Sequence, residues 1–176
     1  MYADNTLTPK EAARLCALGT LAAETSLSYA ALAAAVRHFL DRVQGPSLDV
    51  LGSSLELLKY EGLVETTNAG DNPVLSITVA GQRELIGLLT ARLRPGATDL
   101  NKLIVALKFR FLHILDANEQ CSQIDIMLET IETELARLLD LRTHHDGDPG
   151  YLVAWLDREI EDLSARADWL RDFDIA

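Results

Sequence analysis

The sequence predicts a mainly helical fold with one small β-hairpin, in two parts covering residues 1–95 and 96–176. Three observations predict it. Residues 55–89, LELLKYEGLVETTNAGDNPVLSITVAGQRELIGLL, read in order as a helix, a glycine stop, an apolar strand, a polar turn, a returning strand and a helix start. Elsewhere apolar residues recur three and four positions apart, the period of an amphipathic helix. Arg94-Pro95-Gly96 interrupts that pattern and marks a boundary. The order in residues 55–89 is the rear half of a winged helix-turn-helix, a fold that usually places one helix in a DNA groove.

The elements of the first part follow from their caps. Thr8, Pro9 and Glu11 form a capping box with proline at the first helical position, so a helix should run from Pro9 to about Glu24. Ala12, Leu15, Cys16 and Leu18 are its inward stripe. Ser28 caps a second helix from Tyr29 to about Val43, with Leu32, Val36, Phe39 and Leu40 inward. Gly45-Pro46 forces a change of direction. Ser47 should cap a third helix ending near Glu61, with Leu48, Leu51, Leu55 and Leu58 on one face and Asp49, Gly52, Ser53 and Glu56 on the other. Gly62 is the expected left-handed stop. Leu63–Thr67 and Val74–Ile77 are the strands of a wing, joined by a loop over Ala69–Pro73. Thr78 caps a fourth helix expected to continue to about Arg94.

The second part reads as two long helices. The first begins at Asp99 and carries Ile104, Leu107, Phe111, Ile114, Cys121, Ile124, Leu128, Ile131, Leu135 and Leu138, with a slip in the pattern around Asn118. RTHHDGDPG ends it, and the last helix carries Val153, Leu156, Ile160, Leu163, Ala167 and Leu170. These are coiled-coil spacings. Two helices cannot cover both stripes as well as Phe109, Phe111, Trp155 and Trp169, so a second copy of the chain is expected to cover the remainder. Leu107, Phe111, Ile114, Leu156, Ile160, Leu163, Trp169 and Leu170 are the expected dimer interface.

Charge is uneven. The net charge is −11, and residues 1–98 carry eight Lys/Arg against ten Asp/Glu, whereas residues 99–176 carry eight against seventeen. The acidic second half repels phosphate and is not a nucleic-acid surface. Cys16 and Cys121 lie far apart on apolar helical positions and are expected to be buried free thiols. The polar start, Met1 to Thr6, lacks the basic and apolar regions of a secretory signal. Lys108, Arg110 and His113 break the longest apolar patch, so no membrane span is expected and the location expected is cytoplasmic.

With these residues in view, the chain resembles the PadR family of bacterial transcription regulators. The resemblance is to the longer, virulence-activator-like subgroup, whose helical C-terminal region dimerises. LELLKYEGLVET, the SIT-x-x-G start of the fourth helix and IEDLSARADWLRDF carry it. The resemblance implies a homodimer binding double-stranded, palindromic operator DNA, with the third helix in the major groove and the wing on the backbone. The DNA-contacting positions would be Tyr29, Ser47, Asp49, Val50, Gly52 and Ser53, with Asn68 and Asn72 on the wing. Some regulators of this type take small aromatic effectors. Phe39, Phe109 and Phe111 could line a pocket for an unidentified one, against the plainer reading of core and dimer seam.

Other features point elsewhere only weakly. His144-His145-Asp146-Gly147-Asp148 has metal-ligand residue types, but adjacent histidines rarely face one ion, so the loop reads as polar punctuation. Asp157, Glu159, Glu161 and Asp162 read as a solvated helix face. No nucleophile motif, Gly-rich phosphate loop or Cys-x-x-Cys occurs, so no enzyme, metal or cofactor is expected. The competing function is a winged-helix protein-interaction module that has lost DNA binding. TTNAGDNP carries no Lys or Arg, Gly52 stands where many PadR members have tyrosine, and Lys59 is the only cation on the third helix. Arg14, Arg37, Arg42 and Lys10 are the candidates for flanking positive charge.

Overall fold

The computed structural model describes residues 6–45, 51–69, 72–96 and 98–175. Two compact units divide the chain, Met1–Arg94 with Thr98–Leu115 and Pro95–Ala97 with Asp116–Ala176. The first unit therefore takes in the helix after Pro95, which the sequence reading assigned to the second part.

In the first unit, α1 (Pro9–Glu24) starts on the expected capping box, with Thr8 and Glu11 bonded reciprocally. A two-residue strand, β1 (Leu27–Ser28), leads into α2 (Tyr29–Gln44), and the Ser28 hydroxyl accepts from the Ala31 N–H at 3.2 Å. The described part of the third helix, α3, is Leu51–Tyr60; its expected start at Ser47 lies outside the described residues. Next come β2 (Val64–Ala69) and β3 (Asn72–Ile77), paired antiparallel from Val64 opposite Ile77 out to Ala69 opposite Asn72. The hairpin strands are thus longer, and their connection shorter, than the alternation predicted. The sheet order is β1-β3-β2, because Leu27 and Ser28 pair with Leu75 and Val74.

The fourth helix, α4 (Val79–Leu89), stops five residues before the expected end. The Thr90 hydroxyl bonds back to the Ile86 and Gly87 carbonyls, and the chain continues extended, with Arg92 bridged in parallel to Thr6. Ala91 and Leu93 are buried and Arg92 between them is exposed, which is strand alternation. Then α5 (Asp99–Phe111) packs on α1 and α2 and ends in a 3-10 turn at Leu112–Ile114. The core gathers Leu15, Leu18 and Leu21 of α1, Leu32 and Val36 of α2, Leu58 of α3, Leu85 and Leu89 of α4, and Ile104, Leu107 and Phe111 of α5.

The second unit is a helical hairpin of α6 (Ala117–His144) and α7 (Leu152–Arg171). The single long helix expected from Asp99 is therefore two helices. The break falls at Asp116, whose carboxylate caps α6 by accepting from the Glu119 N–H at 2.9 Å. Salt bridges tie α7 to α6 toward both ends of α7: Asp157 to Arg142 at 2.7 Å and Arg171 to Glu132 at 2.7 Å. These show that α6 and α7 run antiparallel.

Two further expectations are corrected here. Leu107 and Phe111, assigned to a dimer interface, are buried in the core of the first unit, and Ile114 is half-buried in its 3-10 turn. Leu156, Leu163 and Leu170 are buried in the α6–α7 hairpin and Ile160 is half-buried, so one chain already covers most of that stripe. The helix break explains the first error, because it returns α5 to the head. The antiparallel hairpin explains the second. Of the expected interface, Trp169 remains substantially open, at 53% exposure. Cys16 is buried as expected, whereas Cys121 is exposed.

Candidate nucleic-acid interface

The candidate interface is built from the start of α2, the outward side of α3 and the β2–β3 hairpin. Its framework is the segment Gly62–Gly81. Gly62 has φ +71°, the left-handed conformation that ends α3 and turns the chain into β2. The Thr78 hydroxyl donates to the Gly62 carbonyl at 2.8 Å and accepts from the Gly81 N–H at 3.0 Å. The Thr78 N–H donates to the Leu63 carbonyl at 3.1 Å. A Cβ on Gly81 would lie 2.0 Å from the Leu63 carbonyl oxygen. Thr78-x-x-Gly81 is thus a latch, with the threonine capping α4 and the glycine admitting the backbone of the entering strand. It fixes the root of the wing to the end of α3.

Tyr29, the first residue of α2, is 44% exposed. It borders a cleft of about 530 Å³ with Leu55, Glu56, Lys59, Tyr60 and Leu75. Gly52 and Ser53 lie in the first turn of the described α3, Asn68 lies in β2 and Asn72 opens β3. Ser47, Asp49 and Val50 lie outside the described residues. Tyr60, which the sequence reading did not single out, is 90% exposed at the end of α3. Its position beyond Leu55 and Leu58, off their inward face, is the signal that could have found it.

The cations divide into exposed and occupied. Lys10, Arg37, Arg42 and Lys59 are exposed. Arg14 is occupied: its guanidinium reaches Glu61 at 2.9 Å and Glu84 at 2.9 Å, joining α1 to the end of α3 and to α4. Burial opposes its charge, but the bonds and charges of Glu84 and Glu61 outweigh that and push its pKa above the ordinary arginine value. Arg14 therefore braces the head through these two carboxylates.

Lys108 and Arg110 are likewise committed. The Lys108 side chain is fully buried and its ammonium donates to the carbonyl of Leu89, the last residue of α4. Burial pushes its pKa down to about 8. The Arg110 guanidinium stacks on Phe39 at 4.7 Å and on Phe111 at 4.9 Å. Two of the three phenylalanines suggested for an effector pocket are thus engaged: Phe39 lies beneath Arg110, and Phe111 is buried against Gly19. Phe109 is half-buried.

The histidine loop holds its side chains apart. His145 pairs with Asp148 at 2.6 Å, while His144 turns back to the Asp140 carbonyl at 2.9 Å. Among the described residues, no group of three or more His, Cys, Asp or Glu side chains could hold a metal ion. No helix among them is long and apolar enough to cross a membrane.

No curated protein matches the chain. Among solved structures, Bacillus subtilis PadR in complex with operator DNA is similar over 88% of this chain and 93% of its own, at 19% identity and a TM-score of 0.35. A family described as "Putative AphA-like transcriptional regulator" matches residues 2–174. That agrees with the PadR-type resemblance carried by LELLKYEGLVET and IEDLSARADWLRDF, and the family is one of regulators, not an enzyme class. The chain belongs to the AphA-like family of transcriptional regulators.

Proposed function

We propose that this protein is a cytoplasmic regulator that binds double-stranded operator DNA as a homodimer. The observation that carries the reading is the latched unit of α3 and hairpin. A helix of groove-sized diameter ends on Gly62, and a two-stranded wing is pinned beside it by Thr78. Tyr29, exposed at the start of α2, supports the reading as a candidate contact to the phosphate backbone. Two copies would read two half-sites about one helical turn apart.

With Arg14, Lys108 and Arg110 engaged within the head, Lys10, Arg37, Arg42 and Lys59 are the exposed cations named above for phosphate, and hydroxyl, amide and backbone N–H contacts would supplement them. Fluorescence anisotropy of the full chain with mixed-sequence duplex at low salt tests the reading. Gly52→Glu, which adds a carboxylate to the first described turn of α3, should weaken binding by about tenfold or more and leave the melting temperature within a few degrees. Equal binding by both proteins would remove α3 from the interface.

The second reading, a protein-docking winged helix, is favoured by one observation: Leu57 and Tyr60 lie exposed on α3 at 43% and 90%. It predicts no duplex binding at any salt.

A further inference from the structure

The outward side of α3 carries a carboxylate, Glu56. At about 3.6 residues per turn, the buried Leu55 and Leu58 define the inward side of this helix. Glu56, Leu57 and Tyr60 lie away from that side and are exposed. Glu56 and Tyr60 are four residues apart, so they stand one above the other on the helix. Lys59 lies to the flank, where it borders the cleft shared with Tyr29, Leu55 and Leu75.

The acids near α3 are used in different ways. Glu61, just past the helix end, is held by Arg14 at 2.9 Å, and the same guanidinium holds Glu84 at 2.9 Å. Glu56 has no hydrogen-bond or ion-pair partner among the described residues, although Lys59 is three positions along. Its charge faces outward and free.

A carboxylate brought to DNA meets the repulsion of the phosphates, so it adds nothing to general affinity. What it adds is a filter. In the major groove guanine presents acceptors at N7 and O6, and thymine presents O4 beside a methyl group. Both repel a carboxylate. Adenine has a donor at N6 but an acceptor at N7 beside it. Cytosine presents its N4 amino group with no acceptor on the same base edge. A glutamate on this side of α3 therefore favours cytosine.

We propose that Glu56 is a specificity-determining residue whose carboxylate accepts from the N4 amino group of a cytosine, so that each half-site carries a C·G pair at that step. The inference rests on the operator-binding reading above and names what that surface reads. Lys59 and Tyr29, on two sides of the cleft, serve the phosphate backbone and add no base preference.

Selection from a randomised duplex library at fixed low salt tests it, with full-length wild type, Glu56→Ala, Glu56→Gln and Lys59→Gln. Wild type should enrich a C·G pair in each half-site that Glu56→Ala does not enrich. Anisotropy titrations then compare the wild-type duplex with a copy in which that pair is T·A. Wild type should bind the changed duplex about tenfold or more weakly. Glu56→Ala should bind both alike, and should bind mixed-sequence duplex at least as tightly as wild type. Glu56→Gln should move the preference to A·T, since an amide pairs with both N6 and N7 of adenine. Lys59→Gln should keep the preference and lower the salt slope by about one unit. A misfolded variant would bind neither duplex, so retained binding by Glu56→Ala separates a lost filter from lost structure. Half-sites without a C·G pair, or with every C·G pair still enriched by Glu56→Ala, would overturn the role of Glu56 and leave operator binding standing. A wild-type chain that enriches no sequence would overturn both.

Discussion

Gly19 on α1 lies against the ring of Phe111 on α5 so closely that a Cβ there would sit 2.5 Å from two ring carbons. This contact seats α5 in the head, although a proline and a glycine separate α5 from α4 in sequence. Gly19→Ala should destabilise the head by about 1–2 kcal/mol, because overpacking a rigid buried ring costs more than alanine's gain in helix propensity. Adding Phe111→Leu should recover part of the loss, a coupling that urea denaturation of the four proteins in the cycle would measure.

Arg14 gives a prediction that separates stability from DNA binding. Arg14→Ala should cost about 1 kcal/mol, a modest figure because the pairs with Glu61 and Glu84 are partly solvated, and the cost should shrink in high salt. The slope of log affinity against log salt for duplex DNA should stay unchanged. A slope that falls by about one unit would mean that Arg14 neutralises a phosphate after all.

Lys108 gives a pH signature. Its pKa is about 8 in the folded chain against an ordinary 10.5. Between those values the unfolded chain holds a proton that the folded chain has released, so this residue makes stability rise with pH across that window. At pH 7 both states are protonated and the buried ammonium carries its desolvation cost. Lys108→Met removes the titration. Relative to the variant, the wild type should therefore gain about 1–3 kcal/mol from pH 7.5 to pH 10. Parallel stability curves for the two proteins over that range would contradict the burial.

Much of the head was legible because its boundaries are written in side chains that bond to the backbone. Thr8 with Glu11, Ser28, and Thr78 with Gly81 each mark an element start that the structure shows. Periodicity misled where the chain kept burying apolar residues while changing conformation. Ala91 and Leu93 continue the apolar pattern of α4, but from an extended backbone. Asp116 and Glu119 carry the acid-x-x-acid spacing of a helix start, which explains the slip noticed around Asn118. Read as a cap, Asp116 would have split the long helix.

Charge was the harder part of the interface to read. A lysine inside an apolar run suggests a surface residue, yet Lys108 satisfies the carbonyl end of α4 from within the core. Arg14 sits on the buried helix α1 and finds two carboxylates that lie 47 and 70 residues away in sequence. Neither pairing follows from local spacing, because both depend on how separate helices meet. Trp155 and Trp169 were visible as surplus apolar surface, but the side of α7 they occupy became distinct once α6 had taken the leucine stripe.

DNA recognition by this protein requires α3 to read sequence in two copies. Selection from a randomised duplex library by the full chain at low salt, with the bound pool sequenced, addresses this directly. The expected result is a two-fold symmetric sequence with half-sites about 10 base pairs apart, centre to centre. A bound pool with no enriched symmetric sequence at any salt concentration would contradict operator reading by α3.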